Sequence, residues 1–310
     1  MKIPFLFRIF AVLTIAVTLT SSLRAQQALQ TALRAKLDAQ LANVAEHLNG
    51  VMGYAIKGLS SGETFLRLPD TVFPQASSIK LTILLELMRQ AQEGKLSLEE
   101  KHTLRRSEMT VGDTEPILTM LGDGTITLSL RDLAIFMVVL SDNTATNILI
   151  DRLGMDNIND GVTRLGLKET KLRRHMIDLE AARKGNENVS TPREMLTLIE
   201  KVHAGQALDP ARTKEYFDIL KLPKGSLFNL RKALPDDVTL EDKPGNMEGV
   251  RCDTGLIDVA GHPFVMSITT TYNASDDEGE RAVEDAARLA YDYFNRLGRS
   301  SSYGRVISFK

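Results

Sequence analysis

Hydrophobic residues recur with a helical period through the middle of the chain and form strand-like runs nearer its ends. An amphipathic helix that stops at Gly50 is followed by two strands on either side of a Ser-Ser-Gly turn. From Ser77 to about Gly205 nearly every stretch has helical period. Strand character returns in GVRCDTGLIDVAG and HPFVMSITTTY, and a last amphipathic helix follows in DEGERAVEDAARLAYDYFNRLG.

This order of elements predicts an α+β fold, because strands at both ends of a chain most economically share one antiparallel sheet. The terminal helices would flank that sheet, and the helical block would be an inserted all-helical subdomain. We predict a signal peptide over residues 1–25, an α/β subdomain built from residues 26–72 and 206–310, and a helical subdomain over residues 73–205. A groove is expected where the two subdomains meet, and such junctions commonly hold active sites.

The first residues have the layout of a secretory signal peptide. Lys2 and Arg8 flank a short charged start, Ile9–Thr20 is apolar, and Ala25 is the small residue at the expected cleavage site. The apolar run is too short to span a bilayer comfortably, and no cysteine lies beside Ala25 to carry a lipid anchor. We therefore expect an exported protein, periplasmic or extracellular, without a stable membrane anchor.

Composition and charge argue against several classes of function. The formal net charge is -2 and no basic run is interleaved with aromatics, so nucleic-acid binding is not expected. The five histidines show no metal-ligand spacing, and neither a metal nor another cofactor is expected. Cys252 is the single cysteine, which forbids an internal disulfide. We expect a monomer.

Ser77 and Lys80 lie where turn residues run into an apolar helix, in the stretch FPQASSIKLTILLELM. Residues three apart share a helix face, and a lysine with a lowered pKa can activate a serine hydroxyl. In the first turn the N–H of Ser77 would be free to donate to an oxyanion. Alternatively, Ser77 or Ser78 caps the helix and Lys80 is a solvated surface residue. The SxxK pattern alone favours that alternative.

A second motif, Ser141-Asp142-Asn143, precedes another apolar helix. Residues of these types are ordinary N-caps. In an active site, the serine hydroxyl would relay a proton to a leaving nitrogen, and the asparagine amide would bind a substrate amide by donor and acceptor together.

A third motif, Lys243–Asn246, reads KPGN, and its Pro-Gly pair predicts a turn or kink at the edge of a strand. In an active site, Lys243 would add positive charge to the groove. The N–H of Asn246 would be a second oxyanion donor.

In combination, SxxK, SDN and K-x-G resemble the motifs of the penicillin-recognising serine enzymes, and more narrowly of the class A β-lactamase family and its penicillin-binding relatives. The stretch SLRDLAIFMVVLSDNTATNILIDRLG is highly similar to that family. The resemblance covers nearly the whole chain after the signal peptide. It implies a β-lactamase/transpeptidase-like fold and a hydrolase that opens a cyclic amide, the β-lactam ring, through an acyl-serine intermediate.

The resemblance also implies a role for each motif residue. Ser77 would be the acylated nucleophile, Lys80 its activating base, and Ser141 a proton relay. The residues that would contact substrate are Asn143, Lys243, Gly245 and Asn246. Asn143 would hold the acyl-side amide, Lys243 would attract the substrate carboxylate, and the N–H groups of Ser77 and Asn246 would form the oxyanion hole.

The chain departs from the family in the loop that carries a deacylating glutamate in class A β-lactamases. Counting forward from Gly166 places that position at Met176, whereas counting back from Pro192 places it at His175, and neither is a carboxylate. Two acidic residues lie just beyond, Asp178 and Glu180. They are candidate deacylation bases, although the helical period around them favours an exposed helical turn.

A second departure is Pro244, where the family commonly has Thr or Ser. Proline supplies neither a hydroxyl nor an N–H, so one contact to the substrate carboxylate is absent. Arg251 or Thr254 would be the substitute on the neighbouring strand.

Three functions follow as alternatives. The leading one is a class A β-lactamase-like hydrolase, and the second is a penicillin-binding DD-peptidase acting on D-Ala-D-Ala peptides with slow deacylation. The missing loop carboxylate favours the second. The third is a non-catalytic sensor of peptidoglycan fragments or β-lactams, against which Ser77, Lys80 and the SDN motif argue.

Overall fold

The computed structural model describes residues 27–110, 124–224, 229–259, 261–301 and 303–307. The predicted signal peptide lies outside the described residues. Within them, no helix is both long and apolar enough to cross a membrane.

A five-stranded antiparallel sheet combines strands from both ends of the chain, in the order β2-β1-β9-β8-β7. Its members are β1 (Val51–Gly58), β2 (Thr64–Arg67), β7 (Thr239–Met247), β8 (Val250–Asp258) and β9 (Phe264–Thr271). Strand β7 forms one edge. The predicted α+β class with a shared antiparallel sheet is therefore confirmed.

Helices and two short two-stranded sheets complete the described structure. The helices are α1 (27–47), α2 (Lys80–Gln92), α3 (Leu130–Val139), α4 (Asn143–Leu153), α5 (Met155–Arg164), α6 (Leu179–Arg183), α7 (Pro192–His203), α8 (Pro210–Leu220), α9 (Asn229–Ala233) and α10 (Asp276–Arg299). The short sheets pair β3 (Phe73–Pro74) with β6 (Val189–Ser190), and β4 (Lys101–Leu104) with β5 (Ile126–Ser129).

Apolar side chains are buried on both faces of the sheet, because successive residues of a strand point to opposite faces. Phe264, Met266 and Ile268 pack with α1 and α10, whereas Val265 packs with the helical block. The sheet thus has one core against its terminal helices and another against the inserted helices. The motif residues described below lie where the second core meets the edge strand β7.

Helix α8, which begins after the boundary predicted at residue 205, packs against α2, α3 and β7, and the subdomain bounds stay a prediction. The structure differs from the sequence expectations in two places. A hairpin, β4–β5, lies within the block that was expected to be helical. The KPGN motif is not a turn but lies inside β7, and the chain turns at Glu248-Gly249 instead. An edge strand tolerates Pro244, because on its open side there is no neighbouring strand to receive an N–H.

Candidate active site

Ser77 lies in a 3-10 turn, Ala76–Ile79, that leads directly into α2. Ser77 is partly exposed, whereas Ser78 is fully buried. No side chain caps either the turn or α2, and the Ser78 hydroxyl lies 2.8 Å from both oxygens of Gln75, the carbonyl and the side-chain amide. Capping by Ser77 or Ser78 therefore does not explain this motif. Ser77 is the serine of the pair that keeps exposed surface.

Lys80 is fully buried and not the solvated residue of the alternative interpretation. Its ammonium donates to the carbonyl oxygen and hydroxyl of Ser141, at 2.6 and 3.1 Å, and to Oδ1 of Asn143 at 3.1 Å. Burial lowers the pKa of Lys80 well below its ordinary value, the charge of Lys243 lowers it further, and Asp142 opposes the shift. A neutral amine is therefore more accessible here than at a surface lysine, which is what a base for Ser77 requires.

The three residues of the SDN motif have different tasks. Asp142 is the N-cap of α4 and accepts the N–H of Ala145 at 2.7 Å. Capping thus accounts for Asp142 alone. Ser141 adopts a left-handed backbone with φ of 55°, a conformation that non-glycine residues rarely hold without a functional or structural constraint. Ser141 and Asn143 both accept hydrogen bonds from Lys80.

Lys243 reaches the same hydroxyl from strand β7. Its ammonium donates to Ser141 Oγ at 3.2 Å and to the Pro244 carbonyl at 2.7 Å. Burial and, to a smaller extent, the charge of Lys224 lower the pKa of Lys243 to about 8, against the opposing charges of Asp242 and Asp253. The Ser141 hydroxyl is therefore bonded to the side-chain nitrogens of both Lys80 and Lys243, in a position suited to pass a proton.

Gly245 brings β7 into direct contact with the 3-10 turn. A Cβ at this position would lie 2.7 Å from the carbonyl oxygen of Gln75, the nitrogen of Ser78 and the sulfur of Cys252. Only a glycine allows this approach. Asn246, the next residue, has an exposed side chain on the edge strand. Ser77 and Asn246 thus belong to two pieces of backbone that meet at Gly245.

The two proposed substitutes for the missing hydroxyl of Pro244 are occupied elsewhere. Arg251 forms an ion pair with Asp276 of α10 at 3.0 Å, and its guanidinium also donates to the carbonyl oxygens of Met247 and Val250. The Thr254 hydroxyl donates to Ser267 at 2.9 Å, and both residues are fully buried. A contact from Arg251 or Thr254 to the substrate carboxylate stays a prediction.

The loop expected to carry a glutamate, residues 167–188 and here called the docked loop, is fastened to α4. Met176 is buried, and its N–H and C=O are both bound by the side-chain amide of Asn147, at 2.8 and 3.2 Å. Asn147 lies one helical turn after Asn143. His175 instead pairs with Asp151, another turn further, at 2.8 Å. Of the two counted positions, Met176 is therefore bound to α4 one turn after Asn143, and His175 two turns after it.

The two acidic candidates lie on the outer part of the docked loop. Asp178 is exposed and caps α6 by accepting the N–H of Ala181. Glu180 is exposed and forms an ion pair with Lys184. The structure shows no hydrogen bond from Asp178 or Glu180 to Lys80 or Ser141. It does not bring them into the cluster, and their role as base stays a prediction.

Sequence reasoning missed Asn147, Gln75 and the structural role of Cys252. Asn147 was detectable, because it lies four residues after Asn143 and so shares its helix face. Gln75 and Cys252 are brought together by tertiary packing alone. No group of three or more metal-ligating side chains lies among the residues that the structure describes.

A buried lysine three residues after Ser77, a serine hydroxyl bonded to two lysine side chains, and an antiparallel sheet flanked by helices are the features of a β-lactamase/transpeptidase-like hydrolase. The model of the β-lactamase enzyme family matches residues 36–294. The chain belongs to this family.

Curated relatives agree with this assignment. Beta-lactamase SME-1 of Serratia marcescens is 27% identical over 259 residues, which are 81% of this chain and 86% of that protein. The carbapenem-hydrolyzing β-lactamase KPC of Klebsiella oxytoca is 25% identical over 279 residues, covering 84% and 90%.

Solved structures include both β-lactamases and a penicillin-binding protein. The β-lactamase from Sphaerobacter thermophilus has a TM-score of 0.75 at 27% identity, covering 83% of this chain and 97% of that one. PBP-A also has a TM-score of 0.75, at 26% identity and with 84% and 97% coverage. A mutant of PBP-A has been solved as an acyl-enzyme complex with penicillin G, with a TM-score of 0.75.

Proposed function

We propose that the protein opens the β-lactam ring through an acyl-serine intermediate on Ser77 and that release of the acyl group limits its turnover. The observation that carries the first half is the hydrogen bonding of Ser141 to both Lys80 and Lys243. The observation that carries the second is the loop itself: the two positions at which the family's glutamate is counted, His175 and Met176, hold no carboxylate, and Met176 is the one that Asn147 binds.

In the acylation step, neutral Lys80 takes the proton of the Ser77 hydroxyl while Oγ attacks the lactam carbonyl carbon. The carbonyl oxygen becomes an oxyanion, stabilised by the N–H groups of Ser77 and Asn246. The C–N bond then breaks, and the leaving nitrogen takes a proton from Ser141 Oγ. Lys80, now an ammonium that donates to Ser141, replaces that proton. At the end of the step Lys80 is neutral again, Ser77 is acylated, and the leaving nitrogen carries the proton.

Substrate binding is assigned to the remaining motif residues. Asn143, whose Oδ1 accepts from Lys80, offers its amide nitrogen to the acyl-side amide of the substrate. Lys243 attracts the carboxylate, a task that falls more heavily on it because Pro244 supplies no hydroxyl. Gly245 keeps the edge strand close enough for Asn246 to complete the oxyanion hole.

A second function, a DD-peptidase acting on D-Ala-D-Ala peptides, is favoured by the same Met176. Losing a positioned general base costs about 10²–10⁴-fold in rate. An enzyme that acylates well and deacylates slowly behaves as a penicillin-binding protein. The similarity to PBP-A supports this alternative. Expected export to the periplasm would place either activity beside peptidoglycan.

The test is the mass of the intact protein during incubation with excess benzylpenicillin, with hydrolysed drug followed in parallel. We expect a persistent adduct on Ser77 and slow hydrolysis, and Ser77→Ala should form no adduct. A short-lived adduct with many turnovers would mean an efficient β-lactamase and would direct attention to Asp178 and Glu180. No adduct and no hydrolysis would contradict the proposed function.

Met176→Glu tests the deacylation half separately. A carboxylate at this position would be placed by the Asn147 clamp and supply a general base for water, so we expect the adduct to decay about 10²-fold or more faster. Met176→Gln is the matched control, because it has the same length without the base. Equal decay rates for the two variants would contradict the assignment of this position.

A further inference from the structure

The turn that carries Ser77 is held from behind by a buried polar network. The carbonyl oxygen of Gln75 accepts the N–H of Ser78 at 2.9 Å and the thiol of Cys252 at 3.0 Å, and it lies 2.8 Å from the Ser78 hydroxyl. The Ser78 hydroxyl also lies 3.3 Å from the Cys252 sulfur. All three residues have no exposed surface. The carbonyl oxygen of Gln75 is thus contacted by three donor groups behind the turn that carries Ser77.

This network encloses a strained residue. Ala76, between Gln75 and Ser77, has φ of 41°, and a left-handed conformation costs a non-glycine residue roughly 1–2 kcal/mol. Strain of this kind persists only where the surroundings hold it. The hydrogen bonds of Gln75 and Ser78 hold the backbone on both sides of Ala76–Ser77 and so fix the direction of the Ser77 N–H and side chain.

Cys252 extends the network to the sheet. It is the register partner of Gly245, and its sulfur lies 3.3 Å from the Gly245 carbonyl oxygen. Its side chain therefore touches both the 3-10 turn and strand β7. Burial raises the pKa of the thiol to about 12, so the group stays a neutral thiol rather than a nucleophile.

We propose that Cys252 is a positioning residue that fixes the spacing between the Ser77 turn and strand β7. The oxyanion hole is divided between these two pieces, with one N–H from Ser77 and the other from Asn246. The two donors act together only when both lie at hydrogen-bond distance from the same oxygen. Cys252 controls that distance. Its positioning role rests on the proposed function, because the effect of Cys252 is on acylation of Ser77.

Cys252→Ala and Cys252→Ser test this role. Acylation by benzylpenicillin, followed by rapid quenching and intact mass at several drug concentrations, separates the dissociation constant from the acylation rate constant. We expect Cys252→Ala to slow acylation by about 10- to 100-fold, because small misplacement of reacting groups has effects of this size, and to change the dissociation constant by less than about twofold. Cys252→Ser should restore most of the rate, since its hydroxyl donates to the same carbonyl oxygen.

Ser267→Ala is the matched control. Ser267 is a buried member of the same sheet that accepts a hydrogen bond from Thr254 at 2.9 Å and has no bond to the 3-10 turn. It should lose stability without a selective loss of acylation rate. Thermal unfolding of each variant sets a temperature at which all are folded. If Cys252→Ala acylates as fast as Ser267→Ala there, the positioning role is overturned.

Ser78→Ala keeps the proposal testable if Cys252→Ala does not fold. It removes the hydroxyl that contacts both Gln75 and Cys252, and it should give the same selective loss of acylation rate. An unchanged rate in this variant would also overturn the role. Absence of any adduct in the unmodified protein would instead overturn the proposed function, so the two failures are distinguishable.

Discussion

At the scale of single residues, the proposed function assigns recognition of the substrate carboxylate to the charge of Lys243. The lysine is buried and its pKa is lowered to about 8, so the ammonium is present below that pH and is lost as the pH rises through it. Lys80 has the opposite requirement, because as a base it must be neutral. Substrate binding and serine activation therefore depend on different protonation states of two lysines that share one hydroxyl.

This predicts how acylation depends on pH. For benzylpenicillin, the second-order rate constant of acylation should fall as the pH rises through about 8, whereas for its methyl ester, which has no carboxylate, the fall should be much smaller. Lys243→Ala should slow acylation by benzylpenicillin by about 10²-fold or more, and by the ester far less, because a removed charge-assisted bond costs more than a neutral one. Time courses of intact mass at each pH give the rates.

Lys214→Ala is the control for this prediction. Lys214 is an exposed lysine paired with Asp218 on α8, so its removal should leave both substrates unaffected. Equal losses for acid and ester in Lys243→Ala would contradict the carboxylate role of Lys243.

At the scale of elements, the docked loop is held by polar anchors. Asn147 binds both backbone groups of Met176 and donates to the Thr110 hydroxyl at 2.9 Å. Glu194 of α7 accepts the N–H groups of Lys168, Glu169 and Thr170. The loop is therefore placed by a few side chains on α4 and α7, and each of them affects the position of residue 176.

Asn147→Ala should loosen the docked loop. It leaves the N–H and C=O of Met176 without their partner, a loss of about 1–3 kcal/mol, so amide hydrogen exchange should increase at residues 174–178. Asn157→Ala is the control, because Asn157 donates to the carbonyl of Leu153 and has no bond to the loop. Unchanged exchange in Asn147→Ala would show that other contacts position the loop.

The same scale shows what the sequence can and cannot predict. The shared sheet, the closing helix and the SxxK and SDN positions follow from periodicity and motifs, because these signals are local. The sequence predicts a turn or kink at a strand edge for Lys243–Asn246, which lie inside β7, since Pro244-Gly245 is a turn signal wherever a neighbouring strand is unknown. The roles of Gln75 and Cys252 depend on residues 177 positions apart, and no local pattern predicts such a contact.

At the scale of the whole molecule, the candidate active site lies at the seam between two cores. Residues of one core pack on the sheet's terminal helices, and those of the other pack around α2. The seam is closed where Gly245 of β7 lies against the turn of Ser77. Under the proposed function, acylation requires the two halves to meet at a fixed distance, so an atom added at Gly245 should reduce both stability and acylation.

Gly245→Ala tests this dependence on the seam. The added Cβ would lie 2.7 Å from Gln75 O, Ser78 N and Cys252 Sγ, so β7 must move from the turn, and we expect a loss of about 1–3 kcal/mol of unfolding free energy together with loss of the adduct on Ser77. Gly62→Ala is the control, because at its φ of 71° an alanine adds backbone strain while the added Cβ meets no atom within 4 Å. It should lose a comparable stability, measured by thermal or denaturant unfolding, and keep its acylation rate. Normal acylation by folded Gly245→Ala would mean that the oxyanion hole does not depend on the close approach of β7, and the assignment of Asn246 as its second donor would fall with it.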